Sequence, residues 1–281
     1  VTIFGNGSVI EGSSKIAGEN VTIKNVTFTN PNGNNCFYYA DFKSTTFEGC
    51  TFDDYEAIRW GYAYGDVVFT DCTFGDGDNL RGIHIDNGDG NMIFNDCTFY
   101  GFQAIGAAID NITFNRCKFY KGCGSSVVNM YSSIYEYNDC SFEAGFFCDA
   151  ASNNVTAAFN RCTYMNDSSI YNIVRFDKDP ATCTISFDGY QRITDGVYNK
   201  ANEYLIINVN GLKWLATTVN EGTSFSGKNV TLCADIDLNN EEWAPIGKSG
   251  KAFSASHKRV GRYFKLCLYG LFRPRRRNHC S

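Results

Sequence analysis

The stretch Phe94-Asn95-Asp96-Cys97-Thr98-Phe99 carries a pattern that recurs along most of the chain: an aromatic residue, two polar residues, cysteine, one polar residue and a second aromatic residue. The cysteines of its six copies are Cys50, Cys72, Cys97, Cys117, Cys140 and Cys162. A degenerate copy has Val26 in place of the cysteine. Successive marks are 24, 22, 25, 20, 23 and 22 residues apart, which indicates a repeat architecture rather than one globular core.

Within each copy, apolar and polar residues alternate on both sides of a two-residue break, as in Ile112-Thr113-Phe114 and Cys117-Lys118-Phe119. This alternation predicts two short strands, and the Asn, Asp and Gly of the break favour a corner between them. No copy has the i, i+3, i+4, i+7 spacing of an amphipathic helix. With room for a third strand such as 82–85, the repeat predicts an all-β fold, a right-handed parallel β-helix of about eight turns.

Thirteen cysteines would be typical of a disulfide scaffold, but six of them occupy the same inward position of successive turns. Stacked parallel side chains suit a disulfide poorly, because both point the same way. We therefore interpret the six repeat cysteines as a structural ladder of buried thiols that act as small apolar groups. The others have no regular spacing and no C-x-x-C pair, so a zinc site is not expected.

Past Phe187 the repeat pattern ends. A short helix is predicted near 210–220, with Asn210 as its N-cap and Gly222 at its end, and we expect it to cover the open end of the β-helix. The predicted domains are a parallel β-helix at 1–190, then a linker, the capping helix and the start of a second β module at 191–254, and a basic tail at 255–281.

Charge is unevenly distributed. The net charge is −5, yet from Ala255 onward there are eight Lys or Arg and no Asp or Glu, so the first 254 residues carry 17 basic and 30 acidic residues, a net of −13. The irregular tail is interpreted either as the product of a frameshift or truncation or as a genuine basic extension. Its arginine cluster at 273–277 lacks interleaved aromatic residues, so nucleic acid is not an expected partner. No apolar run is long enough for a membrane-spanning helix.

Candidate site residues come from the third strand of each turn. The residues thirteen positions before Cys72, Cys97 and Cys117 are Arg59, His84 and Ala104, in that order. They are therefore expected to occupy equivalent positions in successive turns. Because Ile83 and Ile85 are expected to point inward, Arg59, His84 and Asp86 should face outward on one sheet, with Arg59 and His84 close together. These three are the candidate catalytic residues.

Acidic connections lie near this face. Asp76, Asp78 and Asp89 offer oxygen ligands for calcium, while Arg59 or His84 would act as the base of a lyase. The alternative is that the Gly-Asp-Gly-Asp run simply forms a solvated turn. Apart from calcium in the lyase alternative, no cofactor is expected.

The opening run from Gly5-Asn6-Gly7 to Gly12 resembles the entry turns of pectin-lyase-like β-helix proteins, a superfamily with right-handed parallel β-helices. The resemblance covers roughly residues 1–190 and implies the fold. It implies little about activity, since members include polysaccharide lyases and hydrolases as well as phage tailspikes and non-catalytic adhesins. The paired-Asp, His-Gly and Arg-x-Lys signatures of polygalacturonases are not found at corresponding turns. Residues 210–254, with Trp243-Ala244-Pro245-Ile246-Gly247, are similar to modules of large bacterial surface proteins of gut-commensal type.

Two functional hypotheses follow. The first is a secreted or cell-surface β-helix with a structural, adhesive or glycan-binding role, whose partners are glycans or host or cell-surface matrix. The alternative is a polysaccharide lyase or glycoside hydrolase acting on acidic polysaccharide. The repeat steps differ by only five residues, which leaves little room for long loops around a catalytic cleft. The sequence therefore favours the non-catalytic, extracellular hypothesis.

Overall fold

The computed structural model describes residues 1–31, 35–53, 56–75, 82–100, 105–107, 109, 111–120, 128–130, 134–143, 146–150, 156–164, 174–176, 184–233, 236–238 and 243–259. The chain divides into two compact units, Val1–Gly189 and Tyr190–Ser281. Each unit is built mainly of strands, and one α-helix lies within the ranges just given.

The described part of the first unit consists of short strands joined by corners and connections. In chain order they are β1 (Thr2–Glu11), β2 (Glu19–Thr29), β3 (Phe37–Tyr38), β4 (Asp41–Glu48), β5 (Thr51–Asp53), β6 (Glu56–Ala63), β7 (Val67–Thr70), β8 (Thr73–Phe74), β9 (Gly82–Gly88), β10 (Asn91–Asn95), β11 (Thr98–Phe99), β12 (Ile105–Ala107), β13 (Asn111–Asn115), β14 (Lys118–Phe119), β15 (Val128–Met130), β16 (Ile134–Asn138), β17 (Ser141–Phe142), β18 (Phe146–Ala150), β19 (Thr156–Asn160), β20 (Thr163–Tyr164), β21 (Val174–Phe176) and β22 (Thr184–Phe187).

These strands form three parallel ladders in which each strand pairs with its equivalent in the next turn. The first ladder is β1, β2, β4, β7, β10, β13, β16, β19 and β22. The second begins at the end of β2 and continues through β5, β8, β11, β14, β17 and β20. The third is β3, β6, β9, β12, β15, β18 and β21. The predicted all-β parallel β-helix is confirmed, with about 7 turns where the sequence predicted about eight.

Aromatic columns fill the interior. In the first ladder, Phe47, Phe69 and Phe94 stack with ring centroids 5.0 and 4.9 Å apart and ring planes within 6° of parallel. In the second ladder, Phe74 and Phe99 stack at 4.9 Å. All five rings are buried. Because neighbouring strands lie about 4.8 Å apart, in-register aromatic residues necessarily form such columns.

A left-handed backbone conformation makes the corner between the first two ladders. Asp71, Asp96 and Asp139, each directly before a ladder cysteine, have φ of 50, 56 and 54°. Aspartate tolerates this region well, as the sequence analysis assumed. Arg116 and Arg161 occupy the same corner position with φ of 55 and 52°, although arginine has no such preference.

The register of the third ladder differs from the thirteen-residue count at two strands: at β12, and at β15, where Asn129 pairs with Asp149 and the count gives Val127. Counting thirteen residues back from each cysteine placed Ala104 opposite His84, whereas Gly106 pairs with His84. The prediction was wrong by two residues because this turn is short. Between the third-ladder residue and the cysteine, this turn has two residues fewer than the preceding turn, so that Gly106 precedes Cys117 by only eleven positions.

The second unit contains one helix and a mixed sheet. Its elements are β23 (Tyr190–Thr194), β24 (Val197–Lys200), β25 (Glu203–Ile206), α1 (Val209–Glu221), β26 (Asn229–Leu232) and β27 (Ser256–Arg259). β23, β24 and β25 are antiparallel neighbours, while β25, β26 and β27 are parallel. Leu212, Leu215 and Val219 of α1 pack in a core with Ile206 and Val230. The predicted short helix near 210–220 is therefore confirmed.

The N-cap of the helix lies two residues before the predicted one. Asn208, not Asn210, is the N-cap, and its Oδ1 accepts a hydrogen bond from the Gly211 N–H at 2.9 Å. Asn210 instead lies in the first turn and donates from Nδ2 to the Asp195 carboxylate at 2.6 Å. Gly222 ends the helix at φ 124°, as expected from the sequence. The idea that α1 covers the open end of the β-helix stays a prediction.

Candidate functional site

The candidate catalytic residues lie on neighbouring strands of the third ladder. Ile58 of β6 pairs with Ile83 of β9, and the next pair joins Gly61 to Ile85. Two residues, Arg59 among them, therefore stand opposite the single residue His84. This two-to-one arrangement is a β-bulge. The backbone register thus brings Arg59 next to His84.

A glycine that faces the interior, Gly61, directly follows the bulge on β6. A Cβ at Gly61 would lie 2.9 Å from the Ile58 side chain and 3.0 Å from that of Ile85, so position 61 points inward. Ile83 and Ile85 are buried, which matches the predicted inward direction. Asp86 follows Ile85 at another of the register shifts between β6 and β9. The side chains of His84 and Asp86 lie outside the described residues, so a catalytic grouping with Arg59 stays a prediction.

The proposed calcium ligands are only partly covered. Asp76 and Asp78 lie outside the described residues, and Asp89 lies in the connection between β9 and β10. Within the described ranges, no group of three or more His, Cys, Asp or Glu side chains is placed to hold a metal ion. Calcium binding by these aspartates stays a prediction.

Four tyrosines lie on the chain segments next to Arg59 in two adjacent turns, a feature that the sequence analysis missed. Tyr38 pairs with Arg59 in backbone register and contacts Tyr39, with ring centroids 4.4 Å apart. Tyr62 and Tyr64 lie beyond Arg59 along the same chain segment, with parallel rings whose centroids are 6.1 Å apart. Tyr39 and Tyr64 are exposed, and Tyr38 and Tyr62 are half-buried. We call these four tyrosines, together with Arg59, the tyrosine face.

Polar groups border the tyrosine face. Tyr62 pairs in register with Asp41 on one side and with Asn87 on the other, and both of these residues are exposed. Tyrosine combines a broad apolar ring with a hydroxyl, so such rings can cover the C–H faces of a sugar while hydrogen-bonding its hydroxyls. The Arg59 guanidinium adds planar donors suited to hydroxyl and carboxylate oxygens. The surface therefore combines aromatic rings with hydrogen-bonding groups and a cation.

A second polar surface follows the corner between the first two ladders. Arg116 donates from Nε and Nη2 to the Asp96 carboxylate at 2.7 and 2.6 Å, and Arg161 makes the same paired contact with Asp139 at 2.7 Å. The Arg116 guanidinium holds the pKa of the Asp96 carboxyl below its usual range, and Arg161 does the same for the pKa of Asp139. The Asp188 carboxylate then accepts from the Arg161 backbone N–H at 2.6 Å. These contacts join adjacent turns.

Asparagine side chains reinforce the same joints. The amide of Asn115 donates to the side-chain oxygen of Asn95 at 3.0 Å, Asn138 donates to Asn115 at 3.1 Å, and Asn160 donates to Asn138 at 2.9 Å. Asn115 and Asn138 thus each donate a hydrogen bond to the preceding turn and accept one from the following turn. This ladder contributes to stacking, and its groups are already engaged with one another.

The repeat cysteines lie one above another inside the turns. Each thiol contacts the carbonyl oxygen of the inward residue that precedes the corner one turn earlier, at 3.3 to 3.5 Å. Five of the six are buried and Cys162 is half-buried. Burial raises the pKa of the Cys97 and Cys140 thiols. Eight cysteines among the described residues are free thiols, and the six of the ladder are among them. Because they are buried or half-buried, the ladder is part of the interior packing.

Comparison with known proteins bears on the fold. A family model described as "Right handed beta helix region" matches residues 7–175, more than half of the chain. The chain belongs to this right-handed β-helix family. Neither the curated proteins nor the solved structures gave a match. No helix within the described residues is long and apolar enough to span a membrane.

Proposed function

We propose that this protein is a non-catalytic, secreted or cell-surface β-helix that binds glycans through the tyrosine face. The observation that carries the proposal is the group of exposed and half-buried tyrosines on two adjacent turns, at and beside strands β3 and β6, which also carry Arg59. A regular stack of turns gives these rings a rigid support, which lowers the entropy lost on binding.

The geometry favours a chain of sugars over a single small molecule. The parallel rings of Tyr62 and Tyr64, with centroids 6.1 Å apart, offer an aromatic surface larger than a single ring. Asp41 and Asn87 flank Tyr62 and supply hydrogen-bonding groups at the border. Arg59 supplies a cation for carboxylate-bearing sugars.

The adhesive, bacterial surface role is supported by sequence resemblance. Residues 210–254 are similar to modules of large bacterial surface proteins of gut-commensal type. We propose host or cell-surface glycans and matrix as the partners. Free thiols are compatible with an extracellular location here, because the ladder cysteines lie inside the turns.

A polysaccharide lyase or hydrolase is the second candidate. The observation in its favour is the bulge that sets Arg59 beside His84 in the backbone of adjacent turns. In that case Arg59 or His84 would abstract a proton next to the carboxylate of an acidic sugar.

The test is retention of the purified chain on immobilised polyuronides and neutral plant or host glycans. Tyr62→Ala and Tyr64→Ala should each weaken retention about tenfold, equivalent to about 1.4 kcal/mol. Ile134→Ala is the matched control, since Ile134 is exposed on β16, away from the tyrosine face. Equal retention of the tyrosine variants and wild type would refute the tyrosine face as the binding surface.

The same glycans distinguish the catalytic candidate. Samples with and without calcium are followed by the absorbance of unsaturated products and by new reducing ends. Turnover that is lost in both Arg59→Ala and His84→Ala would replace the non-catalytic proposal with the lyase or hydrolase. Retention without turnover supports the glycan-binding role.

A further inference from the structure

A carboxylate lies beside the first of the two parallel tyrosine rings of the tyrosine face. Tyr62 stands in register with Asp41, which is exposed at the start of β4. Tyr64 comes two residues after Tyr62, and its backbone N–H donates to the Phe42 carbonyl oxygen at 2.8 Å. The pairing of the two turns therefore continues past Tyr62, and the two tyrosines share one side of the strand.

A second carboxylate lies beside the other ring, in the following turn. Ala63 pairs with Gly88, and Val67 pairs with Met92, so the two turns keep the same register before and after Tyr64. Asp89 is the residue that this register sets opposite Tyr64, and it is exposed. The two tyrosines thus have an exposed acid on each side, one from the preceding turn and one from the following turn.

These two carboxylates are not neutralised by the described residues. Within the described part of the chain, no basic side chain forms an ion pair with Asp41 or Asp89. Lys43 lies two residues after Asp41, but the exposed Glu19 is its register partner one turn earlier and opposes its charge. Asp66, also exposed, adds a further acid just beyond the rings. The described positions around the two rings therefore carry a net negative charge.

Arg59 lies at the other end of the tyrosine face. It stands opposite Tyr38 and comes three residues before Tyr62 on β6. Three residues of a strand span roughly 10 Å, so Arg59 serves a different position along a bound chain of sugars. The face thus offers a cation at one end and carboxylates at the end that carries the parallel rings.

An amino sugar matches the end with the parallel rings. Its C–H faces can pack on tyrosine, as those of any sugar can. Its ammonium group is also attracted to the negative face of an aromatic ring, within about 6 Å of the centroid, and to neighbouring carboxylates. The N-acetylated form of the same sugar keeps the ring and its hydroxyls but carries no charge.

We propose that the tyrosine face binds a glycan whose sugars carry free amino groups, with an ammonium group held between the rings of Tyr62 and Tyr64 and the carboxylates of Asp41 and Asp89. This inference rests on the proposed glycan-binding function and names the class of glycan that the site takes. The attraction comes from charge, so it distinguishes sugars that have the same ring and the same linkage.

The test compares two oligosaccharides with one backbone: β-1,4-linked glucosamine and its fully N-acetylated form. The affinity of the purified chain for each is measured by calorimetry at mildly acidic pH, where the amines are protonated and the aspartates remain ionised. Calcium is left out, because Asp89 is also a candidate calcium ligand. We expect the glucosamine oligomer to bind about tenfold more tightly than the N-acetylated one.

Single substitutions locate the source of this preference. Asp41→Asn and Asp89→Asn should each lower it about threefold, without changing the affinity for the N-acetylated oligomer. Asp71→Asn is the matched control, because Asp71 is an equally exposed acid at the corner before Cys72, and it should keep the full preference. Added salt should weaken the preference of the wild-type chain.

The outcomes separate this inference from the proposed function. Equal affinity for the two oligomers would overturn the inference and leave glycan binding intact. An equal loss of preference in Asp71→Asn and Asp41→Asn would also overturn it, because overall charge rather than the tyrosine face would then be responsible. Absence of retention on every glycan, charged or neutral, would contradict the glycan-binding function itself.

Discussion

Arg116 and Asp96 occupy the same corner position in adjacent turns and form a two-point ion pair, with Nε–Oδ1 and Nη2–Oδ2 distances of 2.7 and 2.6 Å. Both residues adopt a left-handed backbone conformation. The pair explains why arginine, which gains nothing from that conformation, occupies the corner. The guanidinium reaches back to the carboxylate of the preceding turn and joins the two turns outside the core.

Acidification should destabilise the β-helix through these carboxylates. Because the arginines lower the pKa of Asp96 and Asp139 in the folded chain, the unfolded chain binds protons more tightly. The contribution of these ion pairs to the free energy of unfolding is fully present above the unfolded carboxyl pKa of about 4. It is lost as the pH falls through the lower pKa of the folded chain. Urea unfolding over a pH series measures it.

The variants Asp96→Asn and Arg116→Ala remove the same pair from opposite sides. Both should reduce the dependence of the free energy of unfolding on pH below about 4, and by similar amounts. A pH dependence equal to that of wild type in both variants would show that the ion pair contributes nothing in solution. High salt should weaken the effect, because both groups are largely solvent-exposed.

Cys97→Asp should strongly destabilise the chain. Cys97 is fully buried between adjacent turns, and a carboxylate there would lack a partner, at a cost of about 4 kcal/mol. The measurement is chemical denaturation. Cys162→Asp is the matched control, since Cys162 has the same place in its turn but is half-buried, and a smaller loss is expected. Equal losses for the two variants would contradict burial as the cause.

The ladder thiols should be unreactive in the folded chain. Burial both blocks access and raises the pKa of Cys97 and Cys140, so little thiolate is available at neutral pH. A disulfide exchange reagent should therefore modify these two cysteines only after denaturant is added, as read by mass spectrometry of peptides. Rapid modification of Cys97 without denaturant would contradict the buried ladder.

Gly90→Ala should destabilise the turn that begins at β10. A Cβ at Gly90 would lie 1.9 Å from the carbonyl oxygen of Gly65, so backbone must move apart, at a cost of about 3 kcal/mol or more. Gly12→Ala is the control. It lies in open space at φ 101° and should cost only about 1 kcal/mol from backbone strain. Similar thermal midpoints for the two variants would refute the close approach.

The parts of the structure that the sequence predicted are those written into the repeat. Phe94, Cys97 and Phe99 recur at fixed spacing because each must fill the same interior position of its turn, and all three are buried. Period-two alternation therefore predicted the strands and the corner. The third ladder was less predictable, since connections of variable length precede and follow it, and the misplacement of Ala104 came from that variation.

Features that depend on neighbouring turns escaped the sequence analysis. The tyrosine face combines residues of two turns whose outward positions carry no repeat signal, so Tyr39 and Tyr64 have no counterpart in the pattern. The helix start was misplaced because Asn208 and Asn210 are both suitable caps. Both amides donate to Asp195, and only the bond from the Gly211 N–H to Asn208 identifies the cap, which requires the backbone geometry.

The asparagine ladder has a consequence for how such a chain can change in evolution. Every link from Asn95 to Asn160 joins only adjacent turns and is made by the same pair of atoms. Duplicating or deleting one complete turn therefore leaves every remaining link with an equivalent partner. Inserting a single residue within a strand would instead turn one amide to the opposite face and interrupt the series. The chain can lengthen or shorten by whole turns, which makes its length far easier to alter than its cross-section.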